Sequence, residues 1–221
     1  MSLFIVATPI GNLGDISFRA VEILKSADIV AAEDTRTAQK LFVKFDIHSK
    51  LTAFHAHSTE RELAKLLEKL KAGKSVALIS EAGTPAISDP GFVLVRAAVE
   101  SKISVVPIPG ACAAITALSA SGLRTDKFIF LGFLPRKKGR KKLIESLRDE
   151  DRTVIFYESP HRIAKTISQF AEILGGERKI VLARELTKIH EEFFRGDLSA
   201  AIDFLESKKI RGEFTVLLAS S

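Results

Sequence analysis

Three stretches of this chain combine glycine, proline and small polar residues so that backbone groups could hold a ligand. They are residues 7–15 (Ala-Thr-Pro-Ile-Gly-Asn-Leu-Gly-Asp), 80–91 (Ser-Glu-Ala-Gly-Thr-Pro-Ala-Ile-Ser-Asp-Pro-Gly) and 106–112 (Val-Pro-Ile-Pro-Gly-Ala-Cys). Gly and Pro end regular structure and leave N–H groups free to face a bound molecule. Gly11 and Gly14 lack the spacing of a dinucleotide fingerprint and no Gly-Lys-Ser or Gly-Lys-Thr occurs, so a nucleotide-phosphate site is the weaker reading. Charge is the second chemical feature. Residues 135–148 carry seven basic residues and one acid, and this run holds the whole excess of +6. Such a patch can neutralise several phosphates. A charged run followed at once by Asp149, Glu150 and Asp151 is equally what a solvated helix end presents. His55 and His57 alternate as metal ligands sometimes do, but no cysteine or third ligand is close in sequence, so solvated loop positions are favoured and no metal is expected.

The elements that must position these loops follow from apolar spacing. Aliphatic runs at 3–7, 29–32, 75–79 and 103–106, with a weaker one at 51–54, read as strands, and segments at 16–24, 35–43, 63–70 and 92–99 have helical period. Thr59 with Glu62 forms a capping-box pattern, and Gly73 stands where a helix ending at Ala72 needs a left-handed residue. Strand and helix alternate, which is α/β with a parallel sheet. In open α/β sheets ligands bind beyond the carboxyl ends of the strands, where the three loops fall. The second half reads as a strand at 128–133, a basic helix, a strand at 153–157, a helix at 162–174 and a strand at 180–184. A short strand near Phe193, a helix after Asp197 and a final strand at 214–219 complete it. Two α/β domains are expected, 1–121 and 122–221, with the junction in the Ser-Ala-Ser-Gly-Leu-Arg-Thr stretch at 119–125.

Composition removes several classes. A chain of 221 residues can bury a core without staples, and Cys112 is its only cysteine, so no intramolecular disulfide forms and a reducing compartment is the default. The N-terminus lacks a basic segment before its apolar residues and meets Asp15 early, unlike a secretory signal. Residues 103–123 are uncharged over a bilayer's span, but Pro107, Pro109 and Gly110 divide them, so a buried strand, loop and helix fit better than a membrane span. A cytoplasmic protein without membrane contact is expected.

Several motifs, taken together and in order, resemble one family. They are Thr8-Pro9-Ile10-Gly11-Asn12-Leu13-Gly14-Asp15, Ala32-Glu33-Asp34-Thr35-Arg36, Ala82-Gly83-Thr84-Pro85 with Ser88-Asp89-Pro90-Gly91, and Phe156-Tyr157-Glu158-Ser159-Pro160-His161-Arg162. Ala183-Arg184-Glu185-Leu186-Thr187-Lys188 and Gly212-Glu213-Phe214 complete the set. The chain resembles, from residue 3 to about 218, the ribosomal RNA small subunit methyltransferase I family of the tetrapyrrole methylase superfamily. The resemblance implies a class III S-adenosylmethionine (SAM)-dependent fold of two α/β domains with the cofactor in the cleft between them, and a homodimer. It implies methylation of a cytidine ribose 2′-hydroxyl in the decoding region of 16S (small-subunit) rRNA, with free rRNA or the assembled small subunit as partner. Carried over position by position, cofactor contacts fall on Pro9, Ile10, Thr84, Ile87, Gly110, Ala111 and Cys112, and on Tyr157, Glu185 and Phe214. Glu81 stands where relatives usually have Asp, and Ala111-Cys112 replaces the usual Pro-Ser, which removes a hydroxyl near the methionine end. Many relatives continue into a further C-terminal segment, whose absence would weaken rRNA docking.

Methyl transfer to a hydroxyl needs an in-line geometry and a route for the proton. Asp34 and Glu158, both expected just after strand ends, are the candidate proton acceptors. Each has a structural alternative: Asp34 as a helix N-cap, Glu158 as the partner of Arg162. Arg36 and Arg162 are candidates for holding flanking phosphates, and Arg136, Lys137, Lys138, Arg140, Lys141 and Lys142 for docking RNA. His161 lies near the same motif. Rival readings are a SAM-dependent methyltransferase of a tetrapyrrole, of the diphthamide precursor or of another small molecule, and a non-enzymatic RNA-binding module. A macrocycle has no use for the basic run. An RNA-binding platform wants stacking aromatics, whereas this chain has no Trp, one Tyr and fifteen Phe set mostly within apolar patterns.

Overall fold

The computed structural model describes residues 2–55, 57–89 and 91–221, so Pro90 of the second loop lies outside the described residues. Strands β1 (Ser2–Val6), β2 (Ile29–Ala32), β3 (Lys50–Ala53), β4 (Val76–Ile79) and β5 (Ser104–Ile108) form a sheet in the order β3-β2-β4-β1-β5, every neighbour parallel. Helices α1 (Phe18–Ser26), α2 (Thr35–Phe45), α3 (Glu60–Lys71) and α4 (Phe92–Glu100) connect them. The inner strands β2 and β4 read as unbroken apolar runs because both faces are covered, whereas the edge strands β3 and β5 are partly exposed. Alternate side chains go to opposite layers: Val6, Val30 and Ile79 meet Leu24, Leu41 and Phe42, whereas Leu3, Ala31 and Leu78 meet Leu66, Leu70 and Leu94.

Helix starts follow their caps. The segment expected from residue 16 begins at Phe18, because the Ser17 side chain accepts from Ala20 N and holds Ile16 extended, after a 3-10 turn at Leu13–Asp15. Thr59 and Glu62 form the reciprocal capping box, and Gly73 is left-handed at φ 88° beyond Ala72.

The second sheet is mixed. Strands β6 (Phe128–Phe133), β7 (Thr153–Glu158), β8 (Lys179–Arg184), β9 (Glu192–Asp197) and β10 (Phe214–Leu218) lie in the order β6-β7-β10-β8-β9, with β6 and β7 parallel and the other pairs antiparallel. One core lies under α6 (Arg140–Ser146), α7 (Ile163–Leu174) and α8 (Leu198–Glu206), built on Phe156, Phe170, Ile163, Leu182 and Val216. Helix α5 (Ala113–Ser119) packs on β7 and β10. The chain divides into compact units Met1–Cys112 and Ala113–Ser221, earlier than the sequence boundary at 121–122, because α5 joins the second sheet. Among the described residues no helix is long and apolar enough to cross a membrane.

Candidate active site

In the first unit the three loops are tied to one another. Thr8 and Gly83 exchange backbone hydrogen bonds at 2.9 and 3.0 Å, an isolated antiparallel bridge between the loops after β1 and β4. The Thr8 hydroxyl donates to Ser80 O at 3.3 Å, and the Thr84 hydroxyl donates to Ala111 O at 3.3 Å, which joins the loop after β5. A side chain at Gly110 would put Cβ 2.9 Å from Ala7 Cβ, so glycine is what permits that approach. Pro9, Ile10, Thr84, Gly110 and Ala111 are thus brought together at one sheet edge, with Cys112 following and Ile87 half-exposed. The 80–91 loop is also strained: Ala86 and Ser88 hold φ of 69° and 60°, left-handed values that cost a non-glycine residue about 1–3 kcal/mol.

Acids crowd the same edge. Burial, with Asp89 and Glu81 adding to it, raises the Glu33 pKa, and burial raises that of Asp89. Both stand inside motifs quoted above but were given no role there, because the neighbours that set the environment of Glu33 come from a different loop. Asp34 goes the other way. It caps α2, accepting from Arg36 N at 2.7 Å, and the Arg36 guanidinium grips both its oxygens, which brings its pKa down to about 2. So weak a base, with both oxygens occupied, is a poor proton acceptor, and Asp34 is corrected from acceptor to cap. Arg36 spends donors on that pair although its side chain is 90% exposed.

In the second unit Glu158 is corrected too. It is 1% exposed at the end of β7; its carboxylate accepts from Ser159 N at 2.9 Å and from the Thr166 hydroxyl at 2.8 Å, and it pairs with Arg162 at 3.4 Å and Arg140 at 3.7 Å. No substrate oxygen reaches a carboxylate so enclosed. Arg140, expected on RNA, is 8% exposed and donates to Gln169 Oε1, Pro135 O and the Thr166 hydroxyl; its role is internal. Arg162 likewise braces Leu134 O rather than standing free for a phosphate. Arg136, Lys137, Lys138, Lys141 and Lys142 are exposed, as is His161.

Of the cofactor residues expected here, Tyr157 offers its ring beside Phe130 and Phe133, while its hydroxyl accepts from Ala114 N at 3.2 Å. Glu185 is left-handed at φ 52° and accepts from Lys188 Nζ at 2.8 Å and Glu213 N at 3.0 Å. Burial alone would raise its carboxyl, but these two donors outweigh it and the pKa falls. Gly212 is left-handed at φ 83°, and a Cβ there would also displace the Glu185 side chain. The Phe214 ring is 2% exposed within the core, so a cofactor contact at this position would fall to its backbone.

The family model for Tetrapyrrole (Corrin/Porphyrin) Methylases matches residues 2–202. Proteins named Ribosomal RNA small subunit methyltransferase I are similar over nearly the whole chain. That of Synechocystis sp. is 50% identical over 220 residues, covering 99% of this chain and 79% of its own. The chain belongs to the ribosomal RNA small subunit methyltransferase I family. The family member from Bacillus subtilis is 49% identical, covering 99% of this chain and 75% of its own, and that from Thermotoga maritima is 46% identical, covering 98% and 97%. Among solved structures, diphthine synthase superposes with a TM-score of 0.76 at 18% identity, covering 99% of this chain and 90% of its own. A cobalt precorrin-4 methyltransferase superposes at 0.72 and 17%, covering 99% and 94%. At such identities these structures show the fold alone. They confirm for this family member the tetrapyrrole methylase architecture of two different α/β sheets.

Proposed function

We propose that this protein transfers the methyl group of SAM to a ribose 2′-hydroxyl of a cytidine in small-subunit rRNA. The observation that carries the proposal is the joining of three strand-end loops at one sheet edge in a chain half identical to rRNA methyltransferases. The residues fit a sulfonium cofactor. Exposed backbone at Gly110, the aliphatic side chains of Ile10 and Ile87 and the acids Glu33, Glu81 and Asp89 make an amphipathic edge with negative charge, suited to a cation with an apolar body. Pro9, Ile10, Thr84, Ile87, Gly110, Ala111 and Cys112 would hold it from the first unit, and Tyr157 and Glu185 from the second. When bound, SAM supplies an electrophilic methyl and its own leaving group.

The chain's residues then orient the ribose and take its proton. Glu33, half-buried and raised by burial, keeps more basicity than Asp34 and is the acceptor we assign. The exposed cations of 136–142 attract the phosphates. On this proposal the protein works in the cytoplasm as a homodimer, and light scattering at monomer mass would overturn the latter. The central test is transfer of labelled methyl from SAM to small ribosomal subunits and to free rRNA, followed by nuclease digestion. Label recovered as 2′-O-methylcytidine is the expected result. SAM binding with no label on RNA would move the substrate to another class.

A further inference from the structure

The basic run, buried Arg140 and half-buried Arg162 meet in a groove of about 500 Å³ between α6 and α7. One wall carries Lys141 and Ile144 on one face of α6, with Lys137 on the turn that precedes the helix; the other carries Lys165, Gln169 and Ile173, three or four residues apart on one face of α7. Glu172 is the only acid in the lining.

Exposure divides the cations into two sets. Arg140 and Arg162 are bound from below by Glu158, Thr166 and the carbonyls of Leu134 and Pro135, so their charge is fixed and half compensated. Lys137, Lys141 and Lys165 are exposed. Among the described residues Lys137 and Lys165 have no ion-pair partner, and Lys141 has only Glu145, at 3.9 Å. Gln169 adds a directed donor. Arginine can only donate, so Gln169 must give it Oε1, and the amide nitrogen with its two N–H groups is what remains to face an anion.

We infer that this groove binds backbone phosphates of the RNA substrate, with Lys137, Lys141 and Lys165 neutralising them and Gln169 donating beside them. The inference rests on the RNA reading above and goes beyond it in choosing residues. Lys165, far from the basic run in sequence, is as important as Lys141. Lys138 and Lys142, inside the run, are outside the groove lining and matter less.

The test compares Lys141→Glu/Lys165→Glu with Lys138→Glu/Lys142→Glu, two variants of identical charge change. Binding of a labelled single-stranded rRNA fragment is followed by fluorescence anisotropy between about 50 and 200 mM salt. The groove pair should raise Kd at least about tenfold above the other pair and flatten the salt slope by about 1.4, the value for two lost phosphate contacts on a single strand. SAM affinity and Tm should be unchanged in both. If the glutamate pair lowers Tm, Lys141→Gln/Lys165→Gln replaces it, with Lys138→Gln/Lys142→Gln as its matched control. Equal losses in the matched pairs would show diffuse attraction and overturn the groove. Absence of label on RNA with the unaltered protein would instead sink the proposed function, so the two failures are distinguishable.

Discussion

Glu158 shows how far a residue's chemistry depends on neighbours that sequence spacing hides. Arg162 stands four residues on and is readable as its partner; Arg140 and Thr166 arrive from α6 and α7 and complete the enclosure. Replacing one member of a buried pair leaves an uncompensated charge, so Glu158→Gln should cost about 3–5 kcal/mol by urea denaturation. Its kcat at low temperature should change little; a loss of about 10² or more in a folded variant would restore Glu158 as proton acceptor. Glu33→Gln should do the reverse, lowering kcat by about 10²–10⁴, a far larger effect than the loss of one of three acids has on SAM affinity. Asp89 offers a pH test. Its folded pKa is raised by burial above the ordinary 3.8, so folding favours the protonated form and stability falls as pH rises through that raised value. Asp89→Asn should therefore raise Tm at pH 7, and the difference should close below the ordinary value, where both states are protonated. A constant difference across the range would show that the effect is not ionic.

At the scale of elements, legibility followed local chemistry. The parallel sheet, its helices and their caps were readable because cap and period are encoded within a few residues: Thr59 with Glu62, Asp34 before α2, Gly73 after α3. Thr59→Ala should cost about 1 kcal/mol, measured as a lower urea midpoint with methylation unaffected. The antiparallel pairing of the second sheet, the membership of α5 and the groove were less readable, since each depends on which elements become neighbours. Helices α6 and α7 are separated by β7, and nothing near Lys165 in sequence announces Lys141. The three strand-end loops were visible through Gly and Pro, whereas burial of the Phe214 ring, an aromatic beside a matching motif, was not.

Over the whole molecule the +6 excess is smaller at the surface than it is in the sequence. Arg140 is spent inside, and Arg148 donates to Ile173 O at 2.5 Å. Six cations of the run remain exposed, five of them at 136–142 and, among the described residues, without a backbone carbonyl holding the side chain, and Lys165 from α7 joins them. Methylation at subsaturating RNA should drop steeply between about 50 and 200 mM salt while SAM affinity stays nearly constant. A flat salt profile would rule out phosphate contacts as a main source of affinity.

The two sheets also differ in when they can close. In the first unit the strand made earliest, β1, lies inside the sheet between β4 and β5; in the second, the inner strand β10 is made last, between β7 and β8. During synthesis the first unit can assemble around a strand already present. The second must wait with two unpaired strand edges from the emergence of β9 until residue 218 appears, roughly one to four seconds at ordinary translation speeds. Unpaired edges invite pairing with other chains. The late arrival of one strand thus makes the second unit of this enzyme the part most dependent on chaperones during its own translation.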